Sequence, residues 1–311
     1  MKKLLFSLLL VPVMGMAQDK LTDANYRVYS VRLGKEVSLK DIVSDMDNYD
    51  VLMFGEEHND SVTHFLEASV FELLHLKFGS DLALSMEMFD RDVQTVMDEY
   101  LQGFIREKNF KKDARVWNNY RDYRPMVEFA RQKQLDVVCA NAPSRYTNLA
   151  GRKGQRALEL LSKESKEYFA PLPYDTASGQ YFAKLMGLSH TPAPAPGDTA
   201  KKAAPPPAMN MGNFNMVTAQ SLWDATMAHS IVKYQKKNKG KKIMHVNGKF
   251  HSDEGFAVVT QLYNYNSKIK PLIISTASDE AFPKVNWADY KQNGDYIIIT
   301  DPKVPRTYTD Q

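Results

Sequence analysis

The chain has 311 residues, of which 43% are hydrophobic and 25% are charged, so it is long enough and apolar enough to bury a large core. Its formal net charge of +3 includes Lys2 and Lys3 at the start, and the remainder is nearly neutral. We therefore expect no nucleic-acid partner, because nucleic-acid binders carry a basic excess or a basic stripe. The single cysteine, Cys139, cannot form an intrachain disulfide.

The N-terminus has the pattern of a secretory signal peptide. A basic start is followed by an apolar run over residues 4–16, and small residues occupy the expected cleavage positions. We expect residues 1–17 to be removed and the mature chain to be exported to the periplasm or cell envelope. No cysteine follows the apolar run, so a lipobox is not expected.

Strands and helices alternate in the first half of the chain. The predicted strands are apolar runs typical of strands buried on both faces, and the predicted helices repeat apolar residues at helical spacing. In chain order we predict a β-prone piece over 26–33, a helix over 38–46, strand 51–54, helix 61–78, strand 82–86, helix 93–102, a loop over 117–125, a helix over 126–133 with Pro125 in its first turn, and strand 135–140. This succession predicts an α/β fold, in which a central, mostly parallel sheet carries helices on both faces.

The alternation breaks after Asn148. Residues 150–189 are predicted to be helical, and the stretch that follows is rich in proline and alanine. We predict that residues 18–149 form the first part of the α/β domain, 150–215 a helical insertion with a flexible Pro/Ala-rich arm, and 216–311 the second part. The second part is predicted to contain helix 217–236, strand 243–246, helix 256–262 and strands 272–275 and 296–300.

Polar side chains follow three of the predicted strands where each strand ends. They are Glu56, Glu57 and His58 after Gly55, then Glu87, Asp90 and Arg91, and finally Asn247 and His251. Because the carboxyl ends of parallel strands meet at one edge of a sheet, we expect these side chains to converge. Helix 217–236 adds Gln220 and Asp224, which share a stripe with Met227 and Ile231 and should face the same edge.

Imidazole and carboxylate groups at one edge allow three interpretations. They suit a borderline divalent ion such as zinc or manganese, with Glu56, His58 and His251 as predicted ligands. The same groups, with Glu87, also suit general acid and base catalysis of a hydrolysis without a metal. A third interpretation is a buried ion network that only stabilises the fold. No GxGxxG, P-loop, GxSxG or CxxC motif occurs, which argues against nucleotide, serine-hydrolase and thiol-redox chemistry.

Five segments together resemble the ChaN family of iron-regulated haem-binding proteins. They are Gly55-Glu56-Glu57-His58-Asn59-Asp60 with His64, Glu87-Met88-Phe89-Asp90-Arg91-Asp92-Val93-Gln94, Tyr123-Arg124-Pro125, Gln220-Ser221-Leu222-Trp223-Asp224-Ala225-Thr226-Met227-Ala228, and Asn247-Gly248-Lys249-Phe250-His251 with Gly255. The ChaN family is similar to the TIKI/TraB proteases and the erythromycin esterases, with which it forms one superfamily of α/β folds. In the hydrolytic relatives, the positions of Glu56, His58, Glu87 and His251 are implicated in catalysis or metal binding.

The resemblance implies a haem-binding protein of the cell envelope that assists haem and iron uptake, with an outer-membrane haem receptor system as a partner. It further implies haem at the surface of a homodimer, with a tyrosine as iron ligand. The family motif positions implied for the cofactor are His58, His64, Arg91, Gln220, Asp224, Asn247 and His251. The alternative is a metal-dependent esterase or peptidase.

Two features depart from the family pattern. ChaN relatives are often lipoproteins, and this chain lacks the lipobox cysteine. In the insertion, where we expect the haem surface, His190 precedes a Pro/Ala-rich arm instead of a compact turn.

Overall fold

The structure is a computed structural model that describes residues 21–187 and 215–308. The predicted signal peptide and the Pro/Ala-rich arm with His190 lie outside these residues. The strands are β1 Tyr26–Ser30, β2 Lys35–Val37, β3 Val51–Glu56, β4 Leu82–Asp90, β5 Asp136–Asn141, β6 Lys242–Gly248, β7 Pro271–Ser278 and β8 Tyr296–Thr300. The α-helices are α1 Leu39–Asp45, α2 Ser61–Phe78, α3 Gln94–Leu101, α4 Glu107–Asp113, α5 Tyr120–Lys133, α6 Ser144–Lys153, α7 Lys163–Lys166, α8 Gly179–Leu185, α9 Met216–Lys237 and α10 Val258–Tyr265.

The described strands form one eight-stranded sheet in the order β2-β1-β8-β7-β3-β6-β4-β5. The six strands from β8 to β5 in this order are parallel, whereas β1 pairs antiparallel with both β8 and β2. The predicted mostly parallel α/β fold is therefore confirmed. β6 lies between β3 and β4, so two strands that follow each other in sequence are separated by a strand from the far end of the chain.

Helices cover both faces of the sheet. Leu52 and Phe54 of β3 pack into the core formed with α1, α2 and α5, while Val51 and Met53 pack into the core formed with α9 and α10. Every residue of β3 is buried, as expected for a strand covered on both sides. Among the described residues, no helix combines the length and apolar character needed to cross a bilayer.

Several element boundaries differ from the sequence-based expectation, and those of β3, β4 and α5 bear on the site. β3 does not end at Gly55 but continues through Glu56, and β4 continues to Asp90, so that Glu87 lies inside the strand. The predicted loop over 117–125 was wrong in its second half, because α5 begins at Tyr120 and contains Pro125. Helix α4 was not predicted.

Residues 154–187 pack along α9 and α6 on the outer side of the sheet. Their apolar contacts include Phe169 and Tyr174, which share a small core with Leu222 and Ala225 of α9. Hydrogen bonds continue the contact, since the hydroxyl of Tyr174 donates to the carbonyl of Thr218 at 3.0 Å. The same surface of α9 that faces this segment also carries polar residues toward the carboxyl ends of the strands.

Candidate functional site

The candidate site lies at the carboxyl ends of the adjacent strands β3, β6 and β4. Glu56, the last residue of β3, is opposite Gly248, the last residue of β6. On the other side of β6, β4 extends past Met86, and the amide nitrogen of Gly248 donates to Glu87 Oε2 at 2.7 Å. Two glutamates from different strands therefore flank the same glycine.

His58 forms the first imidazole–carboxylate pair of the site. Its Nδ1 lies 2.6 Å from Glu56 Oε1, and the hydroxyl of Tyr123 in α5 donates to the same oxygen at 2.8 Å. Trp117 packs edge-on against the His58 ring at 5.4 Å between centroids. The His58 side chain is 38% exposed, whereas that of Glu56 is 0% exposed. A buried carboxyl group thus orients an imidazole that solvent still reaches.

His251 forms a second pair of the same kind. Its Nδ1 lies 2.5 Å from Asp224 Oδ1, and the hydroxyl of Tyr181 in α8 donates to Asp224 Oδ2 at 2.6 Å. Gln220, one turn before Asp224 on α9, places its amide nitrogen 3.3 Å from the ring nitrogens of His251. His251 itself is buried. Each imidazole is therefore held at Nδ1 by a carboxylate, and each carboxylate is held by a tyrosine.

Glu87 lies between the two imidazole–carboxylate pairs. Its Oε1 is 3.4 Å from His251 Nε2. A Cβ atom on Gly248 would lie 2.7 Å from His58 Nε2 and 3.7 Å from Glu87 Oε2, so His58 Nε2 sits directly against the glycine beside this carboxylate. The absence of a side chain at position 248 is what allows His58 to approach Glu87.

The charges of this group are strongly coupled. Burial opposes ionisation of the Glu87 carboxyl, but the neighbouring His251 and His58 imidazoles and the Gly248 amide lower its pKa to about 2. Burial likewise opposes protonation of His251, yet Glu87 and Asp224 raise its pKa to about 10. Burial also opposes protonation of His58, but the bond and charge of Glu56, together with the charge of Glu87, raise its pKa. At neutral pH, His251 is therefore an imidazolium that contacts Glu87 at one ring nitrogen and Asp224 at the other.

A second polar cluster lies behind Glu56. His64 and Glu67, both buried on α2, meet the other carboxyl oxygen of Glu56: His64 Nδ1 is 3.3 Å from Glu56 Oε2 and 3.1 Å from Glu67 Oε2. Burial, reinforced by the Glu67 charge, raises the pKa of Glu56 to about 8, and burial raises the pKa of Glu67 to about 8. Glu56 is thus shared between an accessible imidazole on one side and a buried cluster on the other.

A family model described as haem-binding uptake, Tiki superfamily, ChaN matches residues 42–262, well over half of the chain. The chain belongs to this family. The matched range extends from α1 into α10 and contains all of the strand-end residues described above. The resemblance that the motifs indicated is confirmed.

One solved structure shares the fold of this ChaN-family protein over most of its length. Its title is cofacial heme binding to ChaN of Campylobacter jejuni; it is 14% identical, covers 90% of this chain and 98% of its own, and superposes with a TM-score of 0.64. The type III effector HopBA1 is 11% identical over 85% of this chain and 93% of its own, with a TM-score of 0.44. No functionally curated protein matches the sequence significantly.

The structure brings most of the predicted site residues of this ChaN-family protein into one connected network. Glu56, His58 and His64 form one bonded group and Glu87, His251, Asp224 and Gln220 form another, and the two groups meet at Gly248. Buried Asn247 instead bonds to its own turn, since its amide donates to Ser252 Oγ and the Gly248 carbonyl. Glu57 lies at the rim, where it bonds Lys249 at 2.6 Å and Arg306 at 3.0 Å.

Two predicted residues make their contacts away from this network. Arg91 donates to the carbonyl of Phe169 at 2.9 Å and to Ser230 Oγ at 3.1 Å, which ties residues 154–187 to α9. Asp90 pairs with Arg115 at 3.0 Å. Both follow Glu87 by a few residues, but β4 carries them past the point where the three strand ends meet.

The sequence-based prediction missed Glu67, Tyr123 and Tyr181 as members of the network. Glu67 follows His64 by three residues on α2, and this spacing places two polar side chains on one helix face, a signal that was available. Tyr181 comes from the insertion, and no local pattern links it to Asp224. The predicted metal ligands also differ from the cluster that the structure forms. Among the described residues, Glu56, His64 and Glu67 have ligand atoms that all lie within 4.8 Å of one another. Of the predicted ligands, only Glu56 belongs to this cluster.

Proposed function

We propose that this protein binds haem and, after export to the cell envelope, assists haem and iron uptake. The observation that carries the proposal is membership of the ChaN haem-binding uptake family over residues 42–262. The fold likeness to ChaN of Campylobacter jejuni, whose title names cofacial heme binding, agrees with it. The pattern of residues 1–17 supports export, and an outer-membrane haem receptor system is the proposed partner.

A pocket between α6 and α9 has the chemistry that haem requires. Its volume of about 750 Å³ lies within the usual range for ligand pockets, roughly 300–1,000 Å³. Met216, Ala219 and Trp223 offer apolar and aromatic surface for the porphyrin ring, and Arg152 offers a cation for a propionate, whereas Arg145 already pairs with Asp92 at 2.6 Å. The pocket also borders the start of α9, where the described chain resumes after the insertion.

The pocket offers few side chains that could bind the haem iron. Haem iron in proteins is held by histidine, cysteine, methionine or tyrosine, and of the described residues that line the pocket only Met216 is of such a type. The tyrosine ligand that the family resemblance implies would then approach from outside the pocket. We propose that a second copy of the chain supplies that face, in a homodimer.

Haemin titration of two matched arginine variants tests the pocket. Arg152 is exposed and bonds only Asn148 Oδ1 among its described contacts, so Arg152→Ala leaves the fold intact. We expect a loss of about 1 kcal/mol, roughly fivefold in the Kd for haemin followed by Soret absorbance. Arg121→Ala removes another exposed arginine from a different pocket, beside Trp117, and should leave the Kd unchanged. Loss of binding in Arg121→Ala alone would move the haem to that second pocket.

A hydrolytic activity is the second candidate, and the arrangement around His58 favours it. His58 is accessible at the strand ends, is oriented by Glu56 and Tyr123, and has the placement of a general base. His251 is already paired with two carboxylates, Asp224 and Glu87, so the pairing of His58 with Glu56 carries this candidate. An ester or peptide carbonyl is the substrate class that this pairing suits.

Hydrolysis of a chromogenic ester checks this candidate. We expect slow turnover by the wild type that falls roughly 10²-fold or more in His58→Ala, because one general base contributes about 10²–10⁴-fold. His75→Ala, on the far end of α2, is the control and should retain the rate. Equal rates in all three proteins would leave the strand-end network without a catalytic role.

A further inference from the structure

We propose that Glu56, His64 and Glu67 bind a divalent metal ion of the zinc or manganese class, in a buried site separate from both the haem pocket and the accessible face of His58. The three side chains come from β3 and α2, and their ligand atoms all lie within 4.8 Å of one another. This proposal does not depend on haem binding.

The orientation of His64 leaves its Nδ1 as the atom that faces the carboxyl groups. Its Nε2 lies 3.0 Å from the carbonyl oxygen of His58, which can only accept, so Nε2 carries the hydrogen. In the neutral ring, Nδ1 is then a lone pair directed at Glu67 Oε2 at 3.1 Å and Glu56 Oε2 at 3.3 Å. Three electron-pair donors converge on one point, which is the arrangement that a cation satisfies.

The distances between these donors match a metal coordination shell. Ligands about 2.0–2.1 Å from a tetrahedral zinc ion lie roughly 3.3 Å from one another. The two distances from His64 Nδ1 are close to that value before any adjustment. One imidazole and two carboxylates, with no thiolate, is a donor set for zinc or manganese.

The surroundings of the three residues are those of oriented metal ligands. His64 is held by a backbone carbonyl through its other nitrogen, and Glu56 Oε1 accepts from Tyr123 and bonds His58. Glu56 Oε2 and Glu67 Oε1 are buried and have no hydrogen-bond partner among the described residues. His64 and Glu56 are thus fixed on their outer sides, and each of the two glutamates keeps one buried oxygen free for an ion.

Ionisation of the two buried carboxyl groups would require a counter-charge. Both carboxyl groups are almost completely buried, and among the described residues their ion-pair partners are the imidazoles of His58 and His64, with no lysine or arginine. Buried carboxylates without a cation cost several kcal/mol each. A divalent ion would neutralise the pair where no basic side chain reaches.

Elemental analysis of the haem-free, full-length protein tests the site. The protein is purified after expression with added zinc and manganese and is dialysed extensively. We expect one zinc or manganese ion per chain in the wild type, loss of that ion in Glu67→Gln, and its retention in Glu72→Gln, an exposed glutamate on the same helix. His251→Ala, which alters only the network around Glu87, should also retain the ion. A metal-free wild type would overturn the proposal, as would a Glu67→Gln protein with the wild-type metal content. It would also be overturned if the His251→Ala protein lost the ion while the Glu67→Gln protein kept it.

A measurement on the wild type alone covers the case in which Glu67→Gln does not fold. The denatured protein is refolded after chelation, with and without Co²⁺. We expect visible cobalt absorption bands that Zn²⁺ abolishes, and a higher melting temperature of the zinc-refolded than of the metal-free protein. Absence of both effects would show that the cluster is a pair of carboxyl groups that share protons, and would end the metal assignment.

Discussion

Gly248 occupies a position where any side chain would collide with His58. Its φ of −54° is ordinary for any residue, so the requirement for glycine is steric. An added Cβ would sit 2.7 Å from His58 Nε2. The backbone amide of the same residue meanwhile binds Glu87. A single glycine thus brings an imidazole and a carboxylate together across the end of β6.

Gly248→Ala should therefore displace His58 and destabilise the protein by about 1–3 kcal/mol, the usual effect of overpacking. The His58→Ala variant removes the colliding ring, so Gly248→Ala should cost much less in that background. Urea unfolding of the four proteins of this double-mutant cycle gives the coupling energy. Additive effects of the two substitutions would show that His58 does not lie against Gly248.

His245 provides a pH test of the buried sheet. It is completely buried in β6, its Nδ1 lies 2.9 Å from Ser85 Oγ, and burial lowers its pKa to about 3 from an ordinary 6.5. Below pH 6.5 the unfolded chain binds a proton that the folded chain does not take up until about pH 3, so stability falls as the pH is lowered through this window.

We expect the free energy of unfolding of the wild type to fall between pH 7 and pH 4.5 by on the order of 2 kcal/mol more than that of His245→Gln. Urea unfolding at the two pH values measures the difference, and carboxyl groups that titrate in both proteins cancel. Identical pH dependence in the two proteins would mean that His245 titrates normally in the fold.

At the scale of elements, α9 carries the contact between the sheet and residues 154–187. Arg91, at the end of β4, is the polar part of that contact, because its guanidinium bridges Phe169 of the segment and Ser230 of α9. Tyr181 of α8 adds the bond to Asp224 that completes the His251 pair. The insertion is therefore part of the wall of the candidate site.

Arg91→Met should loosen this segment while leaving the sheet folded. We expect a loss of about 2–3 kcal/mol from its hydrogen bonds and faster proteolytic cleavage within residues 154–187, mapped by mass spectrometry. Arg115→Met removes a half-exposed arginine that bonds Asp90 and Asp92 and should change neither. The same cleavage pattern in both variants would contradict the bridging role of Arg91.

The sequence allowed the elements to be predicted where the hydrophobic pattern was strong. Helix α2 and strand β8 match their predicted limits, because apolar residues recur at one period and polar residues end the run. Helix α5 was placed too late because Pro125 was taken as its first turn. In the fold, Tyr120, Tyr123 and Val127 are buried at helical spacing before and after the proline, and their packing outweighs its preference.

The sequence predicted the site residues that lie at strand ends, because the local hydrophobic pattern shows where a strand ends. Glu56, His58, Glu87 and His251 follow or end apolar strands, so the topology alone brings them together. Tyr123 and Tyr181 reach the site from helices that are far in sequence from Glu56 and Asp224, their partners. Local sequence patterns do not reveal contacts between such distant segments. Glu67 was within reach of the sequence, since its spacing from His64 is helical.

At the scale of the whole molecule, the chain belongs to a family of haem-binding uptake proteins, and the proposed homodimer follows from an iron ligand outside the proposed haem pocket. We expect haemin to shift the sedimentation coefficient of the protein from that of a monomer, or of a loose dimer, to that of a stable dimer. Arg152→Ala should require proportionally more haemin for the same shift. A sedimentation coefficient that haemin leaves unchanged at monomer size would remove the homodimer from the account.

Absorbance titration of the mature wild-type protein, from Gln18 onward, with haemin tests the central claim most directly. The account predicts a saturable binding curve with a Soret maximum shifted from that of free haemin, and a difference spectrum that stops changing once the sites are filled. A linear rise with the unshifted spectrum of free haemin would contradict it.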